Sequence, residues 1–152
     1  MEINYMNRGT RNSILLLRIF VGFLVLYLGI MKMLDLTVQA KFIFREATIF
    51  APFYQWLLQP YNSLWLEFID TWGLMIVGVL LIVGFFTRGA SVVGILYMLV
   101  YYFALLHFPL VGEFYYVVSD HVIYIICFTL FISSRAGEYF GLDGLLRRGR
   151  WS

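Results

Sequence analysis

Four apolar stretches divide the chain, at about 14–34, 66–86, 90–108 and 116–132. Each approaches the ~20 apolar residues that a helix needs to cross the hydrocarbon of a bilayer. The pattern predicts an all-α integral membrane protein. It is expected to form one domain over residues 1–152, a four-helix bundle with one or two interfacial helical segments at about 38–62 between the first and second spans. Arg18 and Lys32 interrupt the first stretch near its two ends. Long basic side chains tolerate such positions, because they snorkel toward the interface. The first stretch is too long for the core of a signal peptide, and no small-x-small site follows it, so cleavage there is not expected.

Composition supports the same solvent. The sequence is 62% hydrophobic and 13% charged, with a mean hydropathy of +0.84. A soluble domain carries roughly 25% charged residues, so this chain lacks the charge to cover a water-facing surface. Its partner is the lipid bilayer. Cys127 is the lone cysteine and excludes a disulfide framework within one chain. No basic stripe with interleaved aromatics marks a nucleic-acid path, so nucleic acid is not an expected partner.

The distribution of charge gives an orientation. With the N-terminus cytoplasmic, four spans return the C-terminus to the same side. Arg8, Arg11, Arg18, Arg88, Arg135, Arg147, Arg148 and Arg150 then lie inside, and Lys32, Lys41 and Arg45 outside. The basic excess sets topology, which predicts a multi-pass plasma-membrane protein with both ends cytoplasmic. Thr87-Arg88-Gly89 is expected to be a tight inner turn, and a short loop starting at Pro109 joins the third and fourth spans. The outer segment from Asp35 to Trp65 is rich in Phe, Trp and Tyr, which favour the headgroup level. It reads either as an anchor or as a lid over an outward-facing pocket. Gly22 and Gly29, seven apart, share a helix face and read as packing positions.

Ionisable groups at membrane depth are costly and therefore mark sites. Lys32, Asp35, Glu67, Asp70, His107, Asp120 and His121 all fall near the outer ends of the spans. Lys32 and Asp35 are three apart and can meet on one helix face. Lys32, with Arg45 and Asp35, could instead contact an anionic substrate or a quinone carbonyl. Arg18 either snorkels or pairs with a carbonyl between helices. His107, His121 and Asp120 are the groups suited to proton exchange. Two histidines alone are poor grounds for axial ligation, so haem is not expected. No metal motif, phosphate loop, nucleophile elbow or Cys-x-x-Cys is present.

Three segments together resemble the DoxX/DoxD-like membrane proteins, the group that includes the small subunit of thiosulfate:quinone oxidoreductase. They are Leu17-Arg18-Ile19-Phe20-Val21-Gly22 running on to Gly29-Ile30-Met31-Lys32, then Gly78 through Gly84-Phe85-Phe86-Thr87-Arg88, and the tail Gly141-Leu142-Asp143. The resemblance implies a four-helix bundle that works with other membrane redox subunits, either a second oxidoreductase subunit or a terminal oxidase. It implies handling of quinone or a small sulfur anion near the outer face, with Arg18, Lys32 and Arg88 as positions to carry over. Trp72 is added as an aromatic quinone or structural contact. The alternative is a non-catalytic accessory subunit of a respiratory complex.

Overall fold

The computed structural model describes residues 7–35, 39–107, 110–111, 118–139 and 141–144. Among them, α1 (Arg8–Met33), α4 (Pro60–Val83) and α5 (Thr87–Leu105) are long and apolar enough to cross a membrane. At 1.5 Å per residue they extend about 39, 36 and 28 Å, against roughly 30 Å of hydrocarbon. The shorter apolar helix α6 (Asp120–Ser133) packs against α5 and α1, and completes a bundle of four with the α1–α4 and α4–α5 contacts. Short helices α2 (Ala40–Arg45) and α3 (Ala51–Leu57) lie between α1 and α4, and α7 (Ala136–Tyr139) follows α6. The fourth apolar stretch starts in sequence at Tyr116, which lies outside the described residues; Gly112, Glu113 and the tail arginines 147, 148 and 150 lie outside them too.

Polarity runs inside out, as lipid requires. Arg18, Lys32, Asp70 and Ser91 are buried, while Phe20, Phe23, Phe68, Ile76 and Ile126 stand more than half exposed on the outer faces. In water that arrangement would cost free energy at every exposed ring; in a bilayer it places each group in its cheaper medium. The chain is a multi-pass membrane protein.

Helix α1 buries Ile14, Arg18, Val21, Gly22, Val25, Gly29 and Lys32. These positions are three or four apart and form one stripe along a 3.6-residue helix. Facing them on α4 are Asp70, Leu74, Val77, Gly78 and Leu81. The two helices meet backbone to backbone. A Cβ added at Gly78 would lie 2.7 Å from the Leu26 Cα, and one at Gly29 would lie 2.9 Å from the Met75 amide nitrogen. Close approach through small residues supplies the dispersion contacts that drive helix pairing in lipid.

The boundaries depart from the apolar runs where local chemistry decides them. Pro60 occupies the first turn of α4, where no amide partner is needed, so the helix begins well before the apolar run. The inner turn is Gly84–Phe86 rather than the expected 87–89. Gly84 closes α4 at φ +71°, a left-handed conformation that glycine adopts without a Cβ penalty. Thr87 already starts α5. At the far end, α5 stops at Leu105, and β1 (Leu106–His107) pairs antiparallel with β2 (Leu110–Val111), Leu106 opposite Val111.

The segment between α1 and α4 folds back onto the bundle. Ala40, Phe44 and Tyr54 bury against Tyr101 and Ala104 of α5 as a second apolar cluster. The Tyr54 hydroxyl donates to the Val100 carbonyl at 2.7 Å. Burial pushes that hydroxyl's pKa up, which keeps the proton it donates. Gly78→Val should therefore wedge α1 from α4 and cost roughly 1–3 kcal/mol. Thermal unfolding in mild detergent measures it, with Gly9→Val, whose added Cβ meets nothing within 4 Å, as the neutral control.

Candidate functional site

Two polar nodes occupy the ends of the bundle. The first unites three helices. Lys32 of α1 is 2.5 Å from the Asp70 carboxylate of α4. Its ammonium also donates to the Tyr101 hydroxyl of α5, and that hydroxyl donates to the other Asp70 oxygen at 2.7 Å. All three side chains are buried. The charges cancel and their hydrogen-bonding capacity is turned inward, the condition under which an ion pair survives away from water. Behind Tyr101, the His121 ring of α6 stacks at 6.3 Å between centroids. Its Nδ1 is buried and has no hydrogen-bond partner among the described residues.

Asp70 and Tyr101 also close the back of a groove of about 510 Å³ between α4 and α5. Phe44, Phe53 and Trp56 of α2 and α3 roof it, Trp65 and Ile69 form one wall, and Val93, Leu96 and Tyr97 form the other. Asn62 and the Tyr97 hydroxyl add further polar groups to this lining. Trp65, Ile69, Val93 and Leu96 are exposed on the outer face of the bundle, so the groove opens sideways toward lipid. Tyr97 spans the wall and donates to the Ile69 carbonyl at 2.5 Å. The shape is that of a small-molecule site: apolar walls with a few convergent polar groups.

The second node lies at the opposite end of the bundle, where the middle of α1 meets the turn between α4 and α5. Arg18 does not snorkel; it is 1% exposed and donates to the Ala136 carbonyl at 2.6 Å. Beside it, Asp143 accepts from the Phe86 amide at 2.7 Å and the Thr87 amide at 3.0 Å, which caps the start of α5. The Asp143 amide donates to the Gly84 carbonyl. The start of the first resembling segment, at Arg18, thus meets the second and third here. Arg88 is exposed in a pocket of about 230 Å³ with Arg135, Glu138 and Asp143.

Several expected site residues fall elsewhere. Lys32 does not pair with Asp35; Asp35 follows the helix with φ 54° and accepts from Gln39 at 2.5 Å. Asp120 and Arg45 are exposed and border neither node nor groove. His107 is exposed, with Nε2 at 3.1 Å from the Glu46 carbonyl, and it straps the end of α5 to the segment after α2. Trp72 packs on Phe68, outside the groove. Of the proposed proton-exchange groups, His121 alone reaches the first node. Asp70 was among the ionisable groups expected at this depth but was given no role, and Tyr101 was not among them; the structure joins both to Lys32. Asp70 carried a signal, a carboxylate at the start of an apolar run. Tyr101 carried none that separated it from interfacial tyrosines.

Among protein families, the DoxX family matches residues 13–107, most of the chain, and the protein belongs to that family. The match includes Arg18, Lys32, Asp70, Arg88 and Tyr101, and ends before His121 and Asp143. No curated protein and no solved structure matches the chain.

Removing one partner of the first node should cost more than removing both charges. Lys32→Met is expected to destabilise by about 3–5 kcal/mol, because it strands a carboxylate. Lys32→Met with Asp70→Asn is expected to recover most of that loss, read by the same unfolding measurement.

Proposed function

We propose that this DoxX-family chain is the quinone-holding membrane subunit of a redox assembly, of the type represented by the small subunit of thiosulfate:quinone oxidoreductase. The observation that carries this reading is the groove: aromatic and aliphatic walls, a lateral opening to lipid, and the Asp70–Tyr101 pair at its inner end. A quinone is a flat ring on an apolar tail. It diffuses in the hydrocarbon, stacks on aromatic faces and needs hydrogen bonds only at its two carbonyls. Asp70 stands where a quinol hydroxyl would dock and donate to its carboxylate.

The same geometry speaks against a sulfur anion as the groove's ligand. Lys32, the cation that would hold it, is committed to Asp70 and Tyr101. Among the described residues, the groove lining holds no lysine or arginine to take its place. Electrons would come from a partner redox subunit, and this chain would bind, orient and shield the ring. The arginine bias supports cytoplasmic ends and a groove in the outer leaflet of the plasma membrane.

Purified in mild detergent, the chain is expected to retain membrane quinone and to bind a short-chain quinone saturably by equilibrium dialysis. Val93→Phe with Leu96→Phe fills the groove from exposed positions, so it should weaken binding about tenfold or more without changing thermal stability. An absence of saturable binding, or affinity indifferent to the filled groove, would instead support an accessory subunit whose groove receives lipid or a partner helix.

A further inference from the structure

The Lys32–Asp70 pair has a second cavity on its other side. Lys32 lines a polar pocket of about 290 Å³ with Asp35, Gln39, Lys41, Glu67 and Thr71, and Asp70 is absent from that lining. Asp70 lines the apolar groove, where Lys32 is absent. One 2.5 Å hydrogen bond therefore connects a polar cavity to an apolar one. Lys41 and Glu67 mark the outer rim of the polar side, 2.9 Å apart and more than a third exposed.

We propose that Lys32 and Asp70 form a proton relay, loaded from the Lys41–Glu67 pocket and discharging into the groove; this rests on the quinone reading above. A quinone that becomes a quinol takes up two electrons and two protons. The electrons come from a redox-protein partner. The protons must reach a ring enclosed by apolar walls. The Lys32 ammonium passes its proton along the existing hydrogen bond to the Asp70 carboxylate. The Asp70 carboxyl then gives that proton to the oxygen of the reduced quinone. The neutral Lys32 amine takes a proton from water in the polar pocket. Two such cycles deliver both protons and leave the pair as it began. Tyr101, bonded to both members, holds them in register.

The test uses the full chain in phosphatidylcholine nanodiscs, with a short-chain quinone and a lipid-soluble cobaltocene reductant. Thr71→Trp obstructs the polar pocket, and Glu67→Gln with Lys41→Gln removes its rim charges; neither touches the groove. Both variants should bind quinone within about twofold of wild type and form quinol about tenfold more slowly or worse. A second measurement needs no quinone. On a Cys127→Ala background, Thr71→Cys should react with a charged, water-soluble thiosulfonate far faster than Leu96→Cys. Unchanged rates of quinol formation with binding intact, or a Thr71→Cys no more reactive than Leu96→Cys, overturn the relay and leave quinone binding standing. A wild-type chain that binds no quinone overturns both.

Discussion

A charge in lipid has to find its opposite, and in this bundle that requirement is met at one point where three helices cross. Lys32, Asp70 and Tyr101 come from α1, α4 and α5, and each satisfies the other two. The contact is short because the backbones beside it are close. Gly29 lies one turn from Lys32 and packs on Thr71 and Met75, which follow Asp70 on α4. A larger side chain at Gly29 would lift α1 away and pull the ammonium off its carboxylate. Glycine packing and ion pairing are therefore one structural device here: the first sets the distance that the second requires.

The opposite end uses a different solution to the same constraint. Arg18 has a backbone carbonyl as its acceptor, on the turn that leads into α7. Asp143 caps the amides that open α5, and Gly84 leaves room for both the guanidinium and the Gly141 backbone. This node has one pocket at its edge, beside Asp143, and its hydrogen bonds tie the turn before α5 to the chain after α6, so it reads as a clamp. The Lys32 node is bordered by cavities on two sides, which is what separates a site from a fastening. The two short helices after α1 complete it, since Phe44 and Tyr54 bury against Tyr101 while Phe53 and Trp56 roof the groove.

The resemblance in the sequence and the family match agree on DoxX, yet the segments that carry the resemblance are mostly architectural. Gly84-Phe85-Phe86-Thr87-Arg88 and Gly141-Leu142-Asp143 shape one end of the bundle. Lys32 is the resembling residue that stands in the proposed site. A motif made of glycines and turn residues reports how a backbone closes more directly than what it binds.

The amino-acid sequence by itself determined the solvent, the helical class and the depth of the ionisable groups, because an uncompensated charge or an exposed amide is so costly in hydrocarbon that few arrangements are open. It placed Lys32, Asp70 and His121 toward one end of the bundle, and the structure brings them there. Tertiary structure alone decided which of several groups at that depth meet. Helical periodicity names the face on which a residue lies but not the neighbour opposite, so Asp35 was a reasonable partner for Lys32 until α4 presented Asp70. It also decided that Arg45, His107 and Asp120 face outward. Tyr101 and the lateral groove could not be read from one strand of sequence. A cavity is the space between elements, and it exists only once α2, α3, α4 and α5 are set against one another.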